Sequence, residues 1–375
     1  MNTENTNKKR QKVFVAMSGG VDSSVAAALL KRDGFNVVGV YMKCWAEGKA
    51  CTTVDDERSA RLAANHLGIP FYSWNMINEY RQRVMGYMID GYQKGITPNP
   101  DAVCNREIKF GLFFEKAMKL GADFVATGHY ARLLHETRNM KHEAQLLAAE
   151  DIEKDQTYFL SLMKREVLSR VRFPIGDYTK REVREFARKF GLPNAQRKSS
   201  QGLCFVGKID FSEFLKQYIK PRKGNIIDSS GKILGEHDGI MYYTIGQREG
   251  IGLSGGPYYV LGKDIVTNTL IVTKDERDLD TKEIFINNMN WLVALNAHAI
   301  EGEARVRYRQ PLTKATLEKV DGATWKIIFD VAQRAVTPGQ IAAFYQDGAL
   351  VAAGIIQEKS AEPAIASVPS ILATV

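Results

Sequence analysis

Apolar residues gather in short, almost unbroken runs through the first third of this chain. Val13-Phe14-Val15-Ala16-Met17, Val37-Val38-Gly39-Val40-Tyr41-Met42, Phe71-Tyr72-Ser73-Trp74 and Phe124-Val125-Ala126-Thr127 have strand length and little alternation, as expected of strands buried on both faces. Helical spacing fills the gaps: Val25 to Lys31, Asp55 to His66 closed by Gly68, and a run that ends near Leu120. Strands alternating with helices predict an α/β domain built on a doubly wound parallel sheet. Ala131 to Leu134 and Leu146 to Ala149 predict a hairpin around a polar loop, and Thr179-x-x-Glu182 predicts a capping box that opens a basic helix.

From about Ile209 the pattern changes. Phe211 to Tyr218 reads as a short helix, after which Gly224, Gly231, Gly235 and Gly239 punctuate short alternating segments through Val272, predicting a small β domain. A second β region, about Phe285 to Gln357, has strands near 305–308, 315–320, 326–331, 341–345 and 350–356 and predicts a β-barrel. The expected division is therefore 1–208, 209–282 and 283–360, with a frayed small-residue tail over 361–375. Pro338-Gly339 signals a type II turn, and Ser254-Gly255-Gly256 reads as a hairpin turn. Arg305, Arg307 and Arg309 would alternate on one strand face beside Tyr308, either as an RNA-backbone contact or as a basic edge strand.

A length of 375 residues favours two or three domains, and a formal charge of +8 favours a polyanionic partner. Cysteines at 44, 51, 104 and 204 are too few and too far apart for a disulfide scaffold, and they form no C-x-x-C zinc pair. The first twelve residues are polar and include Glu4, unlike a signal peptide or presequence, and no apolar run has membrane-spanning length. These features predict a cytoplasmic protein with no membrane partner.

Candidate chemistry starts at Ser18-Gly19-Gly20-Val21-Asp22-Ser23-Ser24, between the first strand and the first helix. Two glycines let the backbone approach a phosphate, while the amides of the first helical turn and the hydroxyls of Ser18, Ser23 and Ser24 point toward it. A Ser/Gly turn with Asp22 as helix cap is the plainer alternative. This stretch lacks the Lys of a G-x-x-x-x-G-K-[ST] loop and the spacing of a dinucleotide fingerprint. It instead resembles the PP-loop of ATP pyrophosphatases, which cleave ATP between the α- and β-phosphates to adenylate a substrate.

Further along, the prolines of Thr97-Pro98-Asn99-Pro100-Asp101 hold the chain extended before a helix that carries Asp101 and Cys104 in its first turn. A thiolate is favoured there, with Arg106 and Lys109 nearby; the alternative is a capping Asp101 and a small buried Cys104. Gly128-His129-Tyr130 follows the fourth strand at the sheet edge that bears the glycine turn. Lys154-Asp155-Gln156-Thr157-Tyr158-Phe159-Leu160 opens an amphipathic run. In Gly202-Leu203-Cys204-Phe205-Val206-Gly207 a cysteine lies in a glycine-flanked loop suited to carrying a thiol between sites.

Taken together, the glycine turn, Asn-Pro-Asp-x-x-Cys-Asn at 99–105, Gly-His-Tyr, Lys-Asp-Gln-Thr-Tyr-Phe-Leu and the Cys204 loop resemble the tRNA-specific 2-thiouridylases. Tyr243 to Arg248, Arg307 to Gln310 and Val336 to Gln340 extend the match over nearly the whole chain. Ser199-Ser200-Gln201 departs from the Asp-Ser-Thr often found there, which leaves the thiol in place.

The resemblance implies ATP-dependent 2-thiolation of the wobble uridine in the anticodon loop of tRNA, with DNA not a partner. ATP would be held by Ala16, Met17, Ser18, Gly19, Gly20, Val21, Asp22, Ser23, Met42 and Gly128, with Mg²⁺ on its phosphates; Met42 reads equally well as ordinary packing at a strand end. Cys204 would accept a persulfide from a donor protein. Cys104 would then release the terminal sulfur or resolve the persulfide through a Cys104–Cys204 disulfide, with Asp101 as general acid/base. Asn99, Pro100 and Asp101 would touch the flipped base, and His129, Lys154, Asp155, Gln156, Arg307, Tyr308 and Gln340 would hold tRNA. Cys44 and Cys51 have no expected role. Three alternatives are another PP-loop synthetase with a nitrogen nucleophile, a less favoured iron–sulfur thiolase using Cys104, Cys204 and Asp101, and an RNA-binding module without catalysis.

Overall fold

The computed structural model describes residues 11–45, 53–138, 141–198, 211–294 and 298–358. Cys51, Cys204 and the tail after Glu358 lie outside the described residues.

The first apolar runs form a five-stranded sheet of β1 (Lys12–Ala16), β2 (Asn36–Lys43), β3 (Phe71–Asn75), β4 (Phe124–Thr127) and β7 (Val171–Arg172), in the order β3-β2-β1-β4-β7. All its pairings are parallel. The unbroken hydrophobicity has a simple cause: side chains alternate between two separate cores. Phe14, Ala16, Val38, Val40 and Met42 enter one core, and Val13, Val15, Val37 and Tyr41 enter the other.

Helix α1 (Val21–Arg32) follows β1 and is buried along most of its length, the run Ala26-Ala27-Ala28 keeping it close to the sheet. It starts four residues before the first apolar position of the expected helix, so Asp22, Ser23 and Ser24 belong to its first turn. Helix α2 (Thr53–His66) covers β2 and β3. The chain builds outward from β1 through β2 to β3, then returns to place β4 on β1's other side. This switch opens a crevice at the carboxyl ends of β1 and β4, the usual ligand site of such sheets.

The hairpin β5 (Arg132–Arg138) and β6 (Lys141–Leu147) has longer arms than expected, because backbone pairing continues through polar residues. Downstream, β8 (Gly224–Asp228), β9 (Ile233–His237), β10 (Tyr259–Asp264) and β11 (Thr269–Thr273) form a small sheet in the order β10-β11-β8-β9. Ser254-Gly255-Gly256 lies in the long loop from β9 to β10 rather than in a hairpin turn, a correction to the local reading.

The barrel consists of β12 (Asp280–Trp291), β13 (Ala299–Arg305), β14 (Thr313–Lys319), β15 (Trp325–Arg334), β16 (Ile341–Gln346) and β17 (Ala349–Ile356). Its order is β12-β15-β14-β13-β16-β17, closed by β12 on β17 through pairs such as Ile286↔Ile356. The N-terminal hairpin joins this sheet where Leu147 and Leu146 pair with Ala349 and Leu350. Strand β13 stops at Arg305, and Arg309 has φ of 64°, so the expected alternation of Arg305, Arg307 and Arg309 along one strand does not occur.

Candidate active site

The glycine turn lies at the crevice mouth. Gly19 adopts a left-handed φ of 81°, and a Cβ there would come within 2.2 Å of the Asp56 carbonyl oxygen. Gly20 stands at the N-cap of α1 without a side-chain cap, so no side chain occupies that position ahead of the first-turn amides. The loop is braced from within: the Ser18 amide donates to Ser23 Oγ (3.1 Å), and Ser23 and Ser24 hydroxyls donate to the Gly20 carbonyl (3.2 and 3.0 Å). Gly128 forms the opposite wall, where an added Cβ would lie 2.5 Å from the Ser23 nitrogen. Met42 is buried in the core at the end of β2.

Several residues at this turn were not singled out from sequence as its partners. Lys180, at the start of α3 (Lys180–Lys189), places Nζ 2.5 and 2.7 Å from the two Asp22 carboxylate oxygens, and Tyr130 donates its hydroxyl to the same carboxylate at 3.1 Å. Burial, with Asp22 adding to it, pushes the Tyr130 phenol well above its ordinary range, so it stays a donor. Asn194 Nδ2 donates to the carbonyls of Gly19 (3.0 Å) and Gly20 (3.3 Å), Ser59 Oγ donates to Gly19 (2.7 Å), and Arg197 joins Gly19 to Asp56. The capping box marked the start of α3, but nothing local shows that its first lysine faces a carboxylate 158 residues away.

The segment that leads to Cys104 departs from expectation in two respects. The helix Pro100–Cys104 is capped by Asn99, whose Oδ1 accepts from the Ala102 amide at 3.1 Å; Asp101 is not the cap. Cys104 is the fifth helical residue, beyond the first turn, so it does not sit at the amide end of the helix and that argument for its thiolate falls away. Asp101 and Cys104, three apart, share a helix face. Cys104 is buried and leads into a π-helical stretch, Asn105–Phe113, a wider coil often found at functional sites. Asn105 donates to the Phe159 carbonyl at 2.9 Å while its Oδ1 is buried without a hydrogen-bond partner. Cys204 lies outside the described residues.

The residues expected to hold tRNA fall into two groups. Lys154 is half-buried, Arg307 is exposed overall although its guanidinium donates to the Ala335 carbonyl, and half-buried Tyr308 packs on Phe159 with ring centroids 4.5 Å apart. His129, Asp155, Gln156 and Gln340 instead use their polar atoms within the protein. His129 is only 8% exposed, with Thr127 Oγ1 at 2.7 Å and Lys109 Nζ at 3.4 Å. Burial, reinforced by Lys109, holds its pKa well below the ordinary value and keeps the imidazole neutral. Gln156 Oε1 accepts from the Tyr130 amide at 3.0 Å. Asp155, 1% exposed, accepts from the Ala149 amide (3.1 Å) and the Thr157 hydroxyl (2.7 Å), and it faces Arg305 of the barrel at 3.4 Å. Its carboxylate is thus enclosed in a buried ion pair that joins domain to barrel.

The N-terminal 11–208 match a family model described as tRNA methyl transferase HUP domain, 212–274 match the corresponding PRC-barrel domain, and 281–356 match an aminomethyltransferase beta-barrel domain. Among curated proteins, the chain is 44% identical over 360 residues to tRNA-specific 2-thiouridylase MnmA 1 of Geobacillus kaustophilus, covering 93% of this chain and 96% of the relative. It is 43% identical over 377 residues to tRNA-specific 2-thiouridylase MnmA of Streptococcus mutans, covering 96% and 99%. The match to the Exiguobacterium sibiricum protein of the same name is 43% over 353 residues, covering 92% and 93%.

Proposed function

The chain belongs to the tRNA-specific 2-thiouridylases, ATP-dependent sulfurtransferases acting on tRNA, and from that premise we propose how its residues share the work. A uridine C2 carbonyl has a poor leaving group. Adenylation of its oxygen, with release of pyrophosphate, supplies a good one, and displacement by sulfur then releases AMP.

The observation that carries the reading is the uncapped first turn of α1 behind Ser18-Gly19-Gly20, at the crevice where β1 and β4 diverge. Its amides and serine hydroxyls would receive the ATP phosphates, with Ala16, Met17, Met42 and Gly128 lining the approach. Lys180 would move from Asp22 to the phosphates as they arrive. Among the described residues no group of three or more His, Cys, Asp or Glu side chains could hold a metal. Mg²⁺ would therefore arrive with ATP, supply charge neutralisation, and find its protein oxygen in Asp22 once Lys180 has moved.

Asn99, Pro100 and Asp101 would meet the flipped uracil, with Asp101 exchanging a proton with the base or thiol. Lys154, Arg307 and Tyr308 would face the RNA. Cys204 would carry the persulfide from a donor protein. Its terminal sulfur attacks C2 as AMP leaves, and Cys104 then attacks the Cys204 sulfur, freeing the thiolated base and leaving a Cys104–Cys204 disulfide for an external dithiol to reduce. In the other route Cys104 takes the inner sulfur first and liberates sulfide as the attacking species. The family model's description names methyl transfer, but two cysteines and a nucleotide turn suit sulfur chemistry better.

The test is nucleoside mass spectrometry of unmodified tRNA incubated with the protein, ATP, Mg²⁺ and either sulfide or a persulfide donor. ATP-dependent 2-thiouridine is expected, and Cys204→Ser should abolish the donor-dependent product. Full activity of both Cys104→Ser and Cys204→Ser with the persulfide donor would refute the relay.

A further inference from the structure

The carbonyls of the glycine turn are held from behind. Gly19 and Gly20 lack the Cβ that restricts other residues, so the peptide between them has little of its own to stop it turning over. In a trans peptide the C=O and the N–H point in opposite directions, so the partner that fixes a carbonyl also aims the amide behind it. Three side chains hold the Gly19 carbonyl: Ser59 Oγ at 2.7 Å, Asn194 Nδ2 at 3.0 Å and Arg197 at 3.2 Å. Of these, Asn194 also reaches the Gly20 carbonyl at 3.3 Å and Ser24 Oγ at 3.0 Å, and it is only 6% exposed. With its carbonyl turned to this buried side, the Gly19–Gly20 peptide puts the Gly20 amide on the exposed side, 3.4 Å from Ser18 Oγ. The Asn194 carboxamide can face the turn only one way, because the reverse would set Oδ1 against two carbonyl oxygens. Oδ1 itself is buried with no hydrogen-bond partner among the described residues, a cost that a space-filling apolar side chain would avoid, so the donor end is the part that matters.

We propose that Asn194 is a positioning residue for the pyrophosphate-releasing step: by anchoring the Gly19 and Gly20 carbonyls it keeps the Gly20 and Val21 amides aimed at the phosphates. This rests on the reading that the glycine turn receives ATP. Turned over, the Gly19–Gly20 peptide would present a carbonyl oxygen to an anion instead of an N–H, which is repulsive where attraction is needed. Asn194 acts through the backbone and stands 175 residues from Gly19 in sequence, on the turn that follows α3. The first residue of α3, Lys180, holds Asp22, so one helix and the turn after it grip the nucleotide turn at two points.

The experiment is calorimetric titration of the full chain with magnesium pyrophosphate and, separately, with adenosine. Asn194→Ala should weaken pyrophosphate binding about tenfold and leave adenosine binding within about twofold, since only the phosphate half of the nucleotide meets the anchored amides. Unchanged pyrophosphate affinity overturns the proposal, and so does an equal loss for both ligands, which would mark a general loosening of the fold. Asn194→Asp keeps the volume but sets a carboxylate against the two carbonyls, so it should bind pyrophosphate no better than Asn194→Ala; wild-type affinity in that variant overturns the anchor. Hydrogen exchange on the wild type needs no variant to fold: pyrophosphate should slow the Gly20 and Val21 amides about tenfold, and unchanged exchange in the bound state overturns the proposal. A wild type that binds no pyrophosphate removes the nucleotide reading and this inference together, whereas binding that survives intact in Asn194→Ala removes the inference alone.

Discussion

Gly128→Ala should disable the nucleotide crevice by pushing its two walls apart. The new Cβ would lie 2.5 Å from the Ser23 nitrogen, 2.7 Å from the Asp22 carbonyl carbon and 2.8 Å from the Ser23 α-carbon. All three are backbone atoms of the first turn of α1, and that turn is held by β1 behind it and by Asn194 on the Gly19 and Gly20 carbonyls. No side chain can swing aside to relieve the clash. Ordinary contact begins at 3.4 Å, so the walls must separate by about 0.9 Å. Overpacking of this kind costs about 1–3 kcal/mol, and a shift near 1 Å in groups that position a reactant costs roughly 100-fold in rate.

The assay is tRNA-dependent pyrophosphate release against ATP concentration, with thermal unfolding measured in parallel. We expect a higher KM for ATP, release reduced by about two orders of magnitude, and a Tm loss of roughly 2–4 °C per kcal/mol. Gly322→Ala is the control, since a Cβ there meets nothing within 4 Å. Wild-type KM and rate in Gly128→Ala, at unchanged Tm, would refute the placement of ATP between these walls.

Three other expectations use different measurements. Lys180→Met leaves Asp22, among the described residues, with the Tyr130 hydroxyl as its side-chain partner and removes the cation that pairs with it, so KM for ATP should rise about tenfold while tRNA affinity holds, read by steady-state kinetics and filter binding. Arg305→Met strands Asp155 as a buried carboxylate, which should cost about 3–5 kcal/mol in urea unfolding and expose the domain–barrel junction to protease; a loss under 1 kcal/mol would contradict the buried-pair reading. His129 has a depressed folded pKa, so the unfolded chain takes up a proton below about pH 6.5 that the folded chain refuses. Its contribution is full above that pH and is lost as pH falls below it, at up to about 1.4 kcal/mol per unit. His129→Gln should flatten the stability profile between about pH 6.5 and 5; an identical slope would show that the imidazole is not the proton acceptor.

Much of the fold was legible because it depends on local causes. Continuous apolar runs predicted β1, β2 and β4 since both faces of those strands are buried, whereas β3 at the sheet edge exposes Tyr72 and Ser73, and Pro338-Gly339 predicted its turn since proline and a left-handed glycine fit those positions: Gly339 has φ of 88° and the Gln340 amide returns to the Thr337 carbonyl. The end of β13 was not legible. Arg305, Arg307 and Arg309 alternate in sequence, yet Asp155 draws Arg305 inward and the chain turns immediately after it.

By itself, the sequence determined the alternation of strand and helix, the glycine turn at the end of β1, and the residue types around Cys104, because burial period, left-handed backbone and helix capping act over a few neighbouring residues. Only the tertiary structure decided what those groups are bonded to. Lys180 lies 158 residues from Asp22, and Gln340 lies 241 from Asn99. A hydrogen bond is satisfied by whichever group the fold brings within about 3 Å, and sequence position carries no record of that meeting.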